Sequence, residues 1–438
     1  MRARDIVLAL LVIGLGVFLT YAKSGRLDDL FFDLDGPWLG VFDEYTYEES
    51  REIDGPVPAE IQVLNARGAI EVSAAGGPDK AVVHFKKRVY ARSRADADAI
   101  AESLRLNVVS SPDRLVLSTN REEFRRKRFS TEFKILVPPQ TAVVLKNSYG
   151  PVRIEGTGRS EIRNPHGEVL VRGIVGPLEL FASYGGVDVD GVRDDVRMSA
   201  PHGDVDIRNV EGSVDLDHSY GRVGLDRIAR RTIVRGSHSQ VTASNLADEA
   251  EIASTYERII ISSAKSIKVR AGHCDIAAKA VDGGFDVTNS YGRVRIDGLT
   301  GDLRVDGNNV EVDGLDLRAG TIFVRTTYKN VSLAGFSGPA EVIFSHAGLT
   351  LAPAPVLSGG IGVQGEYADV RLVWPAGFRA PFEARTRNGR IIWSLEEKPD
   401  SETSNGTTEV LAFSAETGKP KVAIATSHGD IRVDAAGR

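Results

Sequence analysis

The residues in this chain whose types and spacing could do chemistry are its histidines and its aspartates. Six of the eight histidines, His166, His202, His238, His273, His346 and His428, recur in similar local settings. A histidine series of this kind invites a zinc reading. Asp188, Asp190, Asp204, Asp206, Asp215 and Asp217 form a dense acidic run. Paired carboxylates are the machinery of glycoside hydrolysis. Spacing decides against both. The histidines alternate with tyrosines in the order Tyr149, His166, Tyr184, His202, Tyr220, His238, Tyr256, His273 and Tyr291, each 17 or 18 residues after the last. Asn309 fills the next place, and Tyr328 and His346 follow. If each interval is one turn of a stacked structure, successive histidines lie two turns, roughly 9.6 Å, apart. Zinc ligands sit about 2.0 to 2.3 Å from the ion, so such neighbours cannot share a metal. The aspartates alternate with apolar residues and read as the solvent-facing half of a strand pattern. No metal, cofactor or catalytic residue is expected. The chain contains no GxSxG nucleophile elbow and no GxxxxGK[ST] phosphate loop.

The elements that carry these residues are short strands. Most of the recurring residues sit in a triplet, as in Ser148-Tyr149-Gly150, Pro165-His166-Gly167, Ser183-Tyr184-Gly185, Pro201-His202-Gly203, Ser219-Tyr220-Gly221 and Ser290-Tyr291-Gly292. Between Pro201 and His218 the apolar residues are Val205, Ile207, Val210, Val214 and Leu216, with charged residues in the gaps. Period-two alternation of this kind makes two strands with one lone apolar residue between them. A single pair of strands buries one face only, so neighbouring units must stack to complete the core. The period predicts an all-β parallel β-solenoid, or β-helix, with coils of about 18 residues. Some twelve coils would give a rod of roughly 55 to 60 Å. A propeller, with two units per blade, and a coil of 36 residues are the competing arrangements. The second would separate tyrosine and histidine into two columns.

Other segments interrupt this pattern. Residues 1–23 hold Arg2, Arg4, the uncharged run from Ile6 to Ala22, and Lys23. Seventeen residues of helix span roughly 26 Å, enough for a short membrane anchor. A cleaved signal peptide ending at Ala22 is the alternative. Either reading exports the bulk of the chain from a bacterial cytoplasm. Residues 24–50 read as a juxtamembrane segment of aromatics and acids. Residues 51–146 read as a small α+β unit with a helix over Ala95 to Leu106, residues 147–396 as the solenoid, and residues 397–438 as a polar loop and β cap. Within the α+β unit, Arg125, Arg126, Lys127 and Arg128 belong to a basic cluster that suits a solvated loop or contact with lipid headgroups or an acidic glycan.

Composition narrows the functional classes. Sixty acidic residues against 54 basic ones argue against nucleic acid. The single cysteine, Cys274, excludes an internal disulfide framework and suits a buried small hydrophobe. Forty-five glycines suit frequent tight turns.

Asn65-x-x-Gly68, the helix-containing unit, Val137-Pro138 and the many Ser/Pro-Tyr/His-Gly-x-Val-x-Ile/Val units together resemble a bacterial adhesin family of unknown function. They are also similar to autotransporter-adhesin head domains with Gly-rich repeats. The resemblance covers residues 55 to 435 and implies an envelope-associated β-solenoid without established catalytic residues. The Tyr or His before glycine departs from the family's usual Ser/Thr-Gly-Asp turns. The expectation is a non-catalytic, single-pass membrane protein acting as a binding or scaffold surface toward an envelope protein or glycan. A carbohydrate-active β-helix enzyme and a rod that polymerises end to end are the alternatives.

Overall fold

The computed structural model describes residues 42–436 except 54, 56, 76–79, 125–126, 319, 377–379 and 414–418. The expected membrane segment 1–23 lies outside these residues. Among the described residues, no helix is long and apolar enough to cross a membrane.

The chain is a parallel β-solenoid. From Ala142 to Trp374 it winds in sequence order through about 13 turns, each contributing one strand to each of two ladders. In one turn, Val205–Val210 pairs in parallel with Val187–Val192 below and with the segment from Val223 to Ile228 above. The other ladder stacks Leu178–Phe181, Val196–His202 and the start of Val214–Ile228 in the same way. Pairing therefore advances by about 18 residues, one coil per interval, and the 36-residue coil and the propeller are both set aside.

The alternation supplies the core as expected. Val205, Ile207, Val210, Val214 and Leu216 are fully buried. Identical inward positions in every coil merge into one hydrophobic column running from Ile61 to Val433. The lone apolar residue between the strands turns inward because the residue before it takes a left-handed conformation. Gly156, Gly173, Gly191, Asn209, Arg227, Asn245, Ser263, Ala280, Gly298, Asp316 and Gly335 occupy this corner, all with φ between 52° and 79°. Glycine and asparagine suit that conformation.

The solenoid extends beyond the expected boundaries at both ends. Strands Glu60–Leu64 and Ile70–Ser73 form a coil that pairs above with Ala142–Lys146 and Val152–Glu155. It pairs below with Arg114–Thr119 and Phe129–Leu136. The first coil in sequence is thus clamped between two later ones. The carboxyl end mirrors this. Strands Val422–Ser427 and Ile431–Ala435 lie between the coil Ile361–Glu366/Asp369–Trp374 and the coil Phe382–Arg387/Ile391–Trp393. The expected cap over residues 397–438 is corrected accordingly. Its last strands are an interior coil, and the end is closed by Phe382–Arg387 with the antiparallel strands Thr408–Phe413 and Ser401–Ser404.

The helix and antiparallel strands of the region read as an α+β unit cover the amino-terminal end of the same stack. The helix Arg94–Ser103 starts at Ser93, whose hydroxyl accepts from the Asp96 amide at 3.2 Å. It buries Ala97, Ile100 and Ala101, one face at helical spacing, in a small second core with Val89, Leu104 and Phe129. Residues 43–50, expected in a juxtamembrane linker, belong instead to the strand Asp43–Ile53, antiparallel to Ala81–Ala91. Charge sets this register: Lys86 meets Glu48 at 3.1 Å, Lys87 meets Glu49 at 3.4 Å, and Lys80 meets Glu52 at 2.9 Å. An acidic edge strand also repels a further acidic strand.

Candidate functional site: the tyrosine–histidine column

The recurring residues form one solvent-facing column. Tyr149 stacks on His166 with ring centroids 4.6 Å apart and planes 5° from parallel. Contacts of 4.7 to 5.3 Å continue through Tyr184, His202, Tyr220, His238, Tyr256, His273 and Tyr291. After Asn309 the column resumes with Tyr328 on His346 at 4.9 Å. Two further members escape the fixed interval. Tyr367 stacks on His346 at 5.2 Å, and His428 on Tyr367 at 4.5 Å. His428 is 61 residues from Tyr367 in sequence, and the interleaved carboxyl-terminal coil brings it there. Polar side chains stand at both ends. The Arg67 guanidinium lies 5.6 Å from the Tyr149 ring centroid, and the Asn388 amide lies 3.0 Å from Nε2 of His428. The seven tyrosines of the column are 41% to 60% exposed, so the column stands outside the core.

Two turn geometries carry it. Up to Tyr291, the residue after most members is a glycine at positive φ: Gly150, Gly167, Gly185, Gly203, Gly221 and Gly292 span 112° to 140°. A Cβ at Gly185 would stand 2.3 Å from the Gly167 carbonyl oxygen, so backbones at this turn approach too closely for any side chain. From Asn309 onward the member itself takes the left-handed conformation, with φ of 44° at Asn309, 58° at Tyr328, 54° at His346, 51° at Tyr367 and 55° at His428. That geometry costs a non-glycine residue roughly 1–2 kcal/mol, which ring stacking of about 0.5–1.5 kcal/mol per pair helps to offset.

Beneath the column lies a buried polar row that the sequence reading did not identify. At seven members the side chain two residues before, from Asn147, Asn164, His218, Ser254, Asn289, Thr326 or Thr426, turns inward and donates to a turn carbonyl. Asn164 Nδ2 donates to the Gly150 and Gly167 oxygens at 3.0 and 3.2 Å. Asn289 Nδ2 donates to the Cys274 and Tyr291 oxygens at 2.8 and 2.9 Å. Thr326 Oγ1 donates to the Val310 oxygen at 2.7 Å, and Thr426 Oγ1 to the Ala368 oxygen at 2.7 Å. These bonds satisfy carbonyls that the stack buries wholly or in part. The readable signal was a polar residue at an inward position, as at Asn147, Asn164, His218 and Asn289.

His218 belongs to this row. Its Nε2 is 2.8 Å from the Gly203 oxygen, which can only accept, so Nε2 carries the proton. Its Nδ1, 2.7 Å from Ser239 Oγ, then accepts from that hydroxyl. Desolvation pushes the imidazole below its ordinary pKa, against the Gly203 bond and nearby Asp204, which raise it; His202 adds to the lowering. The unfolded chain therefore binds a proton that the folded chain refuses in the window just below about pH 6.5. Stability from this residue is fully present above that pH and falls as pH drops through the window. His218→Asn, which reproduces the donor found at Asn164 and Asn289, is expected to preserve stability at pH 7.5 and flatten the loss on acidification. Urea unfolding of both proteins from pH 7.5 to 5 checks this; equal slopes against pH would contradict it.

The remaining candidates separate from the column. Asp188 accepts two bonds from Arg172 at 3.0 and 2.6 Å and one from Arg208 at 2.9 Å. Asp204 accepts from Arg222 at 2.6 Å, and Asp215 and Asp217 both accept from Arg235. Asp190 accepts from Asn209 at 2.5 Å. The guanidinium bond holds the Asp188 and Asp204 carboxyls below the usual carboxylate range. Two shallow grooves lie on one lateral ladder. One of about 420 Å³ is lined in part by Glu179, Arg197, Asp215 and Arg231, and one of about 300 Å³ by Glu60, Arg114, Lys146 and Glu161. Of the basic cluster, Arg125 and Arg126 lie outside the described residues, and Lys127 is exposed. Arg128 lies 4.8 Å from the Phe42 ring centroid, and Arg121, just before it, 4.6 Å from that of Phe129. Cys274 is fully buried, and burial pushes its thiol pKa up. Among the described residues, no three His, Cys, Asp or Glu side chains are grouped to hold a metal ion.

No family model and no curated protein matches the chain. Solved structures similar to it include the following two. One is described as a "putative cell adhesion protein" from Clostridium sporogenes, 8% identical, with 90% of this chain and 100% of that chain covered and a TM-score of 0.16. The other, a "putative adhesin" from Bacteroides fragilis, is 14% identical, with 61% of this chain and 97% of that chain covered and a TM-score of 0.25. At such TM-scores the likeness carries no argument about activity, and the fold stands on the strand register itself.

Proposed function

We propose that this protein is a non-catalytic rod, tethered to a bacterial cytoplasmic membrane by residues 1–23, that presents an adhesin-like binding or scaffold surface to an envelope glycan or protein. The observation that carries this reading is the solvent-facing column itself. A stack of exposed tyrosines and histidines along one edge of a rigid solenoid offers a repeating row of polar ring edges. Ser148, Ser183, Ser219 and Ser290 precede tyrosines along it. Rigid aromatic side chains give contact area at low entropic cost. Glycan hydroxyls and extended peptides both suit such a row.

The enzyme alternative draws no support from the acidic run. A general acid needs a carboxyl with a raised pKa beside an ionised partner. Here the guanidinium partners of Asp188 and Asp204 push the other way. End-to-end polymerisation is opposed by clamped terminal coils whose outermost strands include the short polar Ser401–Ser404 and the acidic Asp43–Ile53.

Co-sedimentation of the full-length protein with purified peptidoglycan and with chitin tests the glycan arm, and replacing Tyr184, Tyr220 and Tyr256 together by serine tests the column's part in it. The expected result is retention that the triple variant loses, with no release of reducing ends. Release of reducing ends would sink the non-catalytic reading. Isolation from the native host of a mature chain beginning at Lys23 would sink the tether.

A further inference from the structure

The column alternates tyrosine and histidine throughout, and the place between Tyr291 and Tyr328 calls for a histidine. It holds Asn309. Tyr291 stacks on His273 at 4.7 Å and Tyr328 on His346 at 4.9 Å, so each ring has one face covered. The coil of Asn309 lies between them, and among the described residues no ring stacks on either tyrosine from that side. Elsewhere between Tyr149 and His428 each ring stacks on its neighbours in the column, and Arg67 lies over the end at Tyr149. The interval between Tyr291 and Tyr328 is two coil rises, about 9.6 Å, which is the room one aromatic ring takes in this column.

An asparagine amide is shorter than an imidazole or a phenol, so Asn309 takes up less of that interval than a ring would. Its backbone is engaged: the amide N–H points to Thr327 Oγ1 at 3.4 Å, and the carbonyl accepts from Gly292 at 3.4 Å. Its side-chain amide has no hydrogen-bond partner among the described residues, while the neighbouring Asn330 Oδ1 is used by the Gly348 amide. A primary amide offers a donor and an acceptor side by side. That pair is the complement of a heteroaromatic edge with adjacent acceptor and donor, the match by which asparagine reads the N7 and N6 edge of adenine. Two ring faces without a stacked ring and an unused amide between them suit one planar occupant with a paired donor and acceptor edge.

We propose that the interval at Asn309 is a binding slot for one planar heteroaromatic ring of the nucleobase type, sandwiched between Tyr291 and Tyr328 and held along its edge by the Asn309 amide. The slot is a break in the same column proposed above as a binding surface, but its occupant sits between two rings rather than along the row. Loss of glycan or protein binding by the column would therefore leave adenine binding as its own test.

Adenine is the probe, titrated into the full-length protein and followed by tyrosine fluorescence and by one-dimensional NMR of the ligand. Two stacking faces predict a Kd of the order of 1 mM. Asn309→His fills the slot with the ring that the alternation calls for. It should abolish binding without lowering the thermal midpoint, which separates a filled slot from a damaged fold. Asn309→Ala keeps both faces and loses the edge, and should weaken adenine roughly tenfold. Phenol, planar but without the paired edge, should bind wild type and Asn309→Ala alike. Equal adenine binding by wild type and Asn309→His would overturn the slot. Equal adenine binding by wild type and Asn309→Ala would overturn the amide's role and with it the nucleobase class.

Discussion

Gly185→Ala is expected to destabilise the solenoid by about 3–5 kcal/mol, combining overpacking with a strained backbone. Gly185 sits at φ 140°, and its added Cβ would meet the Gly167 carbonyl oxygen at 2.3 Å and its carbon at 2.6 Å. Those atoms are backbone, fixed by the hydrogen bonds of the coil below, and cannot give way as a flexible side chain would. The same contact recurs at Gly167 against Gly150, at Gly203 against Gly185 and at Gly221 against Gly203, so a shift at one coil propagates to its neighbours. Gly362 is the matched control. It lies outward on the strand Ile361–Glu366, and the nearest atom to an added Cβ is 4.0 Å away. Gly362→Ala should be neutral or slightly stabilising, because it removes freedom from the unfolded chain alone. Urea midpoints for the two variants decide the matter. Equal midpoints would show that close backbone packing at the column's turn does not hold the stack together.

Deleting residues 420–438 should have the second large effect, and a qualitatively different one. In a solenoid stacked purely in sequence order, losing the last coil leaves a slightly shorter rod. Here that coil lies inside the stack. Its Val422, Ile424, Ile431 and Val433 are fully buried, each contributing about 1.5–3 kcal/mol, and its strands pair on both sides. Deletion leaves Phe382–Arg387 and Ile391–Trp393 without their parallel partners and bares the ladder edge of Ile361–Glu366. Exposed parallel edges of this length pair with other chains. The expected outcome is aggregation on size exclusion and rapid proteolysis between residues 382 and 413. A monodisperse monomer with that region still protected would contradict the interleaved end.

Local patterns made much of the fold legible before the structure. Alternation in segments such as Pro201 to His218 gave the inward and outward positions, and the 18-residue interval gave the coil. The interleaving was not legible, for a physical reason. Every coil presents the same kind of edge, so nothing local to Val422–Ala435 says which coil it joins. Tyr367 hid behind a longer interval, 21 residues after His346, and Asn388 and Arg67 lie on coils placed by the same interleaving. The switch in turn geometry at Asn309 left no clean trace, since glycine is already missing after His238, Tyr256 and His273 and returns after His428. Arg128 read as part of a charged loop because a cationic head and an apolar stem suit both solvent and an aromatic face. It is the packing against Phe42 that distinguishes them.

Tyrosine and histidine share one column at one coil per interval, and paired cysteines test this most directly. Residues 184 and 202 sit on adjacent coils, about 4.8 Å apart, within disulfide reach. Residues 166 and 202 are two coils apart, about 9.6 Å, beyond it. Under mild oxidation, with Cys274 buried in both proteins, the Tyr184→Cys/His202→Cys variant should form an internal disulfide and the His166→Cys/His202→Cys variant should not, as read by mass spectrometry of tryptic peptides. A disulfide in the second variant and none in the first would place histidines on a column of their own and contradict the one-coil account.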